Sequence, residues 1–276
     1  MGGFDLFKRV MVAVVCIPLI FVVFYLLPPI CLPITVSLLS MIALHEVLWS
    51  TGFVKNAKIS TLSIALSGMV PFWVYIGQGM QSALVGIFVY FFLMFLIALS
   101  SNYSVTLEKM GGSFFFAMLI PYFLSTFVRL NGLEKGKYLI LIPLVAAFAS
   151  DAFALFAGMA FGKHKLAPEL SPKKTVEGAI GGFVGAVILC VVYALVLHFG
   201  FDQEVSYLRF AVYGGLGSVV SQIGDLSFSY IKRQYGLKDF GNIFPGHGGV
   251  LDRFDSVIFC APLMEILIRW LPAVGV

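Results

Sequence analysis

Nine stretches of this chain, near residues 10–27, 30–50, 60–77, 82–100, 111–130, 138–162, 176–199, 208–231 and 255–273, are long runs rich in Leu, Val, Ile, Phe and Ala. Each approaches the roughly 20 apolar residues that a helix needs to cross a bilayer core. In hydrocarbon the backbone must satisfy its own hydrogen bonds, and continuous apolar runs do so as helices; a barrel would show alternation instead. Composition agrees with this reading. The 276 residues are 60% hydrophobic and only 12% charged, whereas soluble domains carry about 25% charged residues. These values argue against a soluble enzyme, a nucleic-acid binder and a secreted module. The expected fold is an all-α polytopic membrane protein with about nine transmembrane helices.

Charge placement orients the spans. Lys8, Arg9, Lys55, Lys58, Lys109, Lys163, Lys165, Lys173, Lys174, Lys232, Arg233, Lys238 and Arg253 fall on alternate connections. Arg129, Lys135, Lys137, Arg209 and Arg269 fall on the others. The positive-inside rule then places the N-terminus in the cytoplasm and, with nine spans, the C-terminus outside. The first apolar run follows Lys8 and Arg9 but has no small-residue cleavage site, so it is expected to stay as a helix. Cys16, Cys31, Cys190 and Cys260 are scattered in apolar runs without metal spacing and read as small buried hydrophobes. The long polar connections 163–177 and 232–254 both face the cytoplasm on this topology. Residues 141–276 are therefore expected to form a catalytic region, and residues 1–140 a scaffold or oligomer contact.

Carboxylates inside apolar helices are costly and usually face a wet cavity or a partner. Asp151 and Asp225 are such acids, and neither has a basic residue three or four positions away. Asp252 and Asp255 stand at i and i+3 where the last span begins. That spacing suits either helix capping or a pair of hard oxygen ligands for Mg²⁺. Glu265 and Arg269 have the spacing of a helical ion pair. Glu46 serves either the site or an inter-helix contact. Small residues recur at Gly178, Gly182 and Ala186, and again at Gly214, Gly217, Ser218 and Ser221. Such rows let membrane helices approach closely. Close packing of the seventh and eighth spans would bring the segment SPKKTVEG, residues 171–178, next to Asp225. Its two lysines before a helix start suit an anion, or equally a membrane edge.

The most specific stretch runs from Ser229 to Asp255, SYIKRQYGLKDFGNIFPGHGGVLDRFD. It fits the pattern S-x-x-K-R, four residues, K-D, then P-x-H-G-G-x-x-D-R-x-D. In this it resembles the phosphatidate cytidylyltransferase (CDP-diacylglycerol synthase) family. SPKKTVEG, and Asp151-Ala152 with Gly158 and Phe161-Gly162-Lys163, resemble two further family segments. The resemblance implies Mg²⁺-dependent transfer of the cytidylyl group from CTP to phosphatidic acid at the cytoplasmic face of a bacterial membrane. It implies Asp225, Asp252, Lys173 and Arg233 as catalytic residues. Asp225, Asp252 and Asp255, with Asp151 as a further candidate, would hold Mg²⁺, and a second metal or a monovalent cation is a further expectation. Substrate contacts are expected from Ser171, Lys174, Thr175, Ser229, Lys232, Lys238, Asp239, His247, Gly248, Gly249 and Arg253. Gly246, Gly248 and Gly249 would let backbone N–H groups approach phosphate. The expected partners are CTP, phosphatidic acid, membrane lipids and a second copy of the chain, but no nucleic acid. Two rivals remain: a CTP-dependent polyprenol or lipid kinase, which predicts a phosphorylated lipid and CDP, and an ion-coupled transporter relaying charge through Asp151 and Asp225, which predicts flux without CTP.

Overall fold

The structure, a computed structural model, describes residues 18–54, 56–77, 79–102, 104–243 and 248–275. Gly246 and His247 lie outside them, as do Lys8, Arg9, Cys16 and Lys55. The described chain is mostly helical. Five segments are long and apolar enough to cross a membrane: Cys31–Ser50, Ala57–Ile76, Leu107–Asn131, Gly136–Phe161 and Val176–Phe201. Two further long helices, Tyr207–Gln234 and Leu251–Trp270, coincide with the expected eighth and ninth spans. They are less apolar because they carry Asp225, Lys232 and Arg233, and Asp252, Arg253, Asp255, Glu265 and Arg269.

The chain divides into two compact units. The first comprises the chain up to Arg129 together with Leu237–Arg253; the second comprises Leu130–Gly236 and the segment from Phe254 onward. The glycine-rich connection therefore belongs to the same unit as the N-terminal helices.

In the first unit, α1 (Cys31–Ser50), α2 (Ala57–Ile76), α3 (Gly79–Leu99) and α4 (Leu107–Leu124) follow one another. Helix α2 packs against α1, α3 and α4, and α1 also packs against α4. Caps define the starts. Asn56 accepts the N–H of Lys58 at 3.0 Å, and Thr106 accepts that of Lys109 at 3.4 Å. Gly77, at φ 72°, ends α2 in a left-handed conformation that favours glycine. Small polar groups fasten the helices where no water competes. Ser37 Oγ donates to the Gly68 carbonyl at 2.6 Å, and Ser63 Oγ lies 3.0 Å from the Tyr90 hydroxyl.

The second unit contains the short α6 (Gly136–Leu139), which follows α5 (Thr126–Asn131), then α7 (Ile142–Phe161), α8 (Val176–Phe201) and α9 (Tyr207–Gln234). Most of α10 (Leu251–Trp270) also belongs to it. Between α7 and α8 the chain forms an antiparallel hairpin, β1 (Lys165–Ala167) and β2 (Ser171–Thr175), with Lys165 opposite Thr175 and Ala167 opposite Ser171. The hairpin adds a small sheet to an otherwise helical fold. Helices α7, α8 and α9 pack against one another. Their glycines explain the closeness. A Cβ on Gly182 would lie 2.7 Å from the Ser150 carbonyl oxygen, and one on Gly214 would lie 2.6 Å from that of Ala186. The Gly178–Gly182 row thus faces α7, while α8 and α9 meet through Gly214.

Candidate active site

Strand periodicity selects which lysine of SPKKTVEG turns inward. Successive side chains in a strand point to opposite faces. In β2, Lys173 is exposed, while Lys174 is half-buried and places Nζ 2.5 Å from Asp225 Oδ2. Thr175 closes the strand and caps α8, accepting the Gly178 N–H at 3.1 Å, and its side chain packs at Gly158 and Gly162. Its hydroxyl therefore has a structural partner where the sequence suggested a substrate contact. Ser171 opens the strand, half-buried. Glu177 secures the base of the hairpin. It accepts the backbone N–H groups of Lys163 and His164 and approaches His164 Nδ1 at 2.6 Å. Arg233 Nε donates to the Leu170 carbonyl at 3.1 Å, tying the hairpin turn to the end of α9.

Along α9, Asp225, Ser229 and Lys232 stand at i, i+4 and i+7, so they share one face over about 10 Å. Ser229 Oγ donates to Asp225 Oδ1 at 3.3 Å. Lys232 Nζ lies 3.7 Å from Asp255 Oδ2, with both side chains largely buried. A buried ammonium and carboxylate are tolerable because each offsets the other's desolvation. Gly224 permits this meeting of helices: a Cβ there would lie 3.0 Å from the Asp255 carbonyl oxygen and 2.9 Å from Phe259 Cβ. Asp151, midway along α7, accepts the Ser256 hydroxyl at 2.8 Å. Asp151 and Asp225 both act electrostatically on Asp255. The second unit thus collects three carboxylates, Lys174 and Lys232 from α7, β2, α9 and α10.

Beneath this cluster lies a polar network that the sequence reading passed over. Gln222 Nε2 donates to the Ala179 carbonyl at 3.1 Å and to Ser218 Oγ at 3.0 Å, and Ser218 Oγ lies 2.7 Å from Ser150 Oγ. The available signal was position: Gln222 is one turn before Asp225, and Ser150 adjoins Asp151.

In the first unit, Asp252 is buried, and its Oδ2 accepts the N–H groups of Phe240 at 2.8 Å and Gly249 at 2.9 Å. Where the sequence suggested that the Gly249 N–H faces a phosphate, it donates to Asp252. Gly248 is left-handed at φ 82°, and a Cβ there would lie 2.8 Å from Asp252 Oδ2. Glu46, ambiguous in sequence, accepts the Val250 N–H on Oε1 at 2.9 Å and the Leu251 N–H on Oε2 at 2.8 Å. Lys238, Asp239 and Arg253 are exposed. Glu265 and Arg269 form the expected i, i+4 ion pair, with Arg269 Nη2 3.0 Å from Glu265 Oε1.

Among the described residues, no three His, Cys, Asp or Glu side chains form a ready metal cage. The donors present are all carboxylates, and two ammonium groups already sit against Asp225 and Asp255. Hard oxygen donors that attract a cation fit Mg²⁺, which commonly binds through one or two carboxylates, water and substrate phosphates.

The sequence profile described as the Cytidylyltransferase family matches residues 7–271. The chain is 33% identical over 249 residues to a phosphatidate cytidylyltransferase of Bacillus subtilis, covering 86% of this chain and 89% of that protein. A phosphatidate cytidylyltransferase of Thermotoga maritima is 37% identical over 156 residues, 56% of this chain and 57% of that protein. One from Staphylococcus saprophyticus is 41% identical over 135 residues, 49% of this chain and 50% of that protein. With its sequence matched almost from end to end, this chain belongs to the cytidylyltransferase family.

Proposed function

We infer that this protein transfers the cytidylyl group of CTP to phosphatidic acid, giving CDP-diacylglycerol and pyrophosphate. The observation that carries this reading is the similarity to the Bacillus subtilis phosphatidate cytidylyltransferase, which extends over 86% of this chain and 89% of that one. In the reaction a phosphate oxygen of phosphatidic acid attacks the α-phosphorus of CTP. A new P–O bond forms, and the bond to the bridging oxygen of the β-phosphate breaks. The attacking phosphate is already ionised near neutral pH, so no general base is required.

The difficulty is electrostatic: two anions must meet, and negative charge must leave on pyrophosphate. Positioned cations answer it, as in other phosphoryl transfers. Lys174 and Lys232, half-buried and buried beside carboxylates, are held in place for a phosphate. Exposed Lys173, Arg233, Lys238 and Arg253 are assigned to capture of CTP and the lipid headgroup. We assign Asp225 and Asp255, with Asp252 one turn earlier in α10 and Asp151 as a further candidate, to hold Mg²⁺. Bound there, the ion would neutralise triphosphate charge and stabilise the leaving pyrophosphate.

We further propose nine transmembrane helices, a cytoplasmic N-terminus, a site open to the cytoplasm and a homodimer. The charge bias supports the orientation, and a cytoplasmic site meets soluble CTP and leaflet phosphatidate together. Purified protein given phosphatidate and CTP labelled at the α-phosphate is expected to move label into lipid, and EDTA is expected to stop it. Label recovered as free CDP beside a phosphorylated lipid would instead identify a kinase. CTP-independent ion flux in liposomes would identify a transporter.

A further inference from the structure

We propose that Glu46, on α1, is a positioning residue for the transfer reaction: it clamps the glycine-rich loop and through that loop sets the place of Asp252. This rests on the reaction inferred above. A carboxylate inside an apolar helix demands partners. Glu46 is 4% exposed, and both its oxygens are used, one by the Val250 N–H and one by the Leu251 N–H. These donors lie at the start of α10, where N–H groups have no partner within the helix. The bonds span 204 and 205 residues of sequence. A Ser or Thr beside the helix could cap it locally, so a distant buried charge supplies more than a cap.

Three further hydrogen bonds and the close approach of two glycines turn the pair of bonds into a clamp. One turn after Glu46, Ser50 donates its hydroxyl to the Phe240 carbonyl, gripping the other side of the loop. Phe240 and Gly249, one residue from each gripped side or on it, both turn their N–H groups to Asp252 Oδ2. Gly241 and Gly249 lie against the Glu46 carboxylate, and a Cβ on either would overlap its oxygens. The two glycines are thus explained by Glu46 rather than by a ligand. The chain of contact runs from α1 to the loop backbone and from there to Asp252. A carboxylate that serves a reacting phosphate needs its place held within a fraction of an ångström.

Glu46→Gln replaces one acceptor oxygen by an amide donor facing a backbone donor. Three proteins are compared: wild type, Glu46→Gln, and Ser40→Ala. Ser40 Oγ is buried in the same helix without a hydrogen-bond partner among the described residues. Turnover of CTP and phosphatidate and hydrogen exchange of peptides covering residues 237–251 are measured on each. Glu46→Gln is expected to lower kcat about tenfold or more with a smaller change in KM for CTP, and to speed exchange of those peptides about tenfold. Ser40→Ala should match wild type in both. Wild-type kcat in folded Glu46→Gln, or exchange raised equally across the molecule, overturns the proposal. Should Glu46→Gln not accumulate folded, Gly249→Ala crowds the same contact from the loop side and is judged by the same two readouts. Failure of wild type to make CDP-lipid sinks the reaction itself, while the exchange arm still judges the clamp.

Discussion

Lys174 Nζ lies 2.5 Å from Oδ2 of Asp225, joining a strand residue of the hairpin to an acid on α9. Asp225 has no basic neighbour on its own helix within one turn. Its counter-charge comes from 51 residues away because α7, α8 and α9 pack closely. Asp225→Asn is expected to reduce turnover by on the order of 100-fold or more while the protein still inserts and folds. Lys174→Met should act chiefly on KM for CTP. Steady-state kinetics in detergent checks both, and near-normal turnover of Asp225→Asn would remove that residue from the metal assignment.

Asp252 separates charge from loop geometry. Its Oδ2 holds two backbone N–H groups. Asn can keep an oxygen at that place, so Asp252→Asn should preserve the loop and lose activity. Ala leaves two buried donors unpaired, at about 1–3 kcal/mol each. The thermal midpoint of Asp252→Ala should therefore fall below that of Asp252→Asn. Equal midpoints would argue that Oδ2 does not hold the loop.

Glycine packing gives a stability prediction independent of catalysis. Gly182→Ala and Gly214→Ala each drive a methyl group toward a backbone carbonyl that cannot rotate away. Each should destabilise by about 1–3 kcal/mol. A Cβ on Gly200 would meet only Val196 Cγ1, at 4.0 Å, so Gly200→Ala is expected to be neutral or mildly stabilising. Thermal unfolding of the three variants in one detergent tests the contrast.

Glu177 holds the hairpin by its base, accepting the N–H groups of Lys163 and His164. Glu177→Ala should loosen residues 163–175. Trypsin, which cuts after Lys163, Lys165, Lys173 and Lys174, should then cleave this segment several-fold faster, since local opening follows the lost bonds. An unchanged cleavage rate would mean that Thr175 and Arg233 suffice to hold the hairpin.

Much of the fold was legible because hydrocarbon leaves a chain few choices. Eight of the nine expected spans coincide with helices, apart from shifted ends and breaks near Ser125 and Ile140; of the first, 10–27, the described part from residue 18 onward is helical to Leu26, and residues 10–17 lie outside the described residues. The glycine rows announced close packing, and close packing does bring Lys174 to Asp225. They did not announce which helix each row would meet, because a small residue shows only that something comes near. The hairpin escaped notice for a similar reason. Two strands of 3 and 5 residues carry too little periodic signal to stand out from a polar loop.

Sequence alone determined that the chain is helical and membrane-bound and that it belongs to the cytidylyltransferase family; it also supplied the proposal that the chemistry lies in residues 151–255, with the acids and lysines named for it. These follow from composition, from the cost of charge in hydrocarbon and from a long, specific pattern of polar residues. Only the tertiary structure decided the pairings: Lys174 rather than Lys173 on Asp225, Lys232 on Asp255, Ser256 on Asp151, and Glu46 on the loop backbone. Pairing depends on distance and direction between side chains far apart in sequence. A buried carboxylate states only that a partner is required; the fold chooses which one.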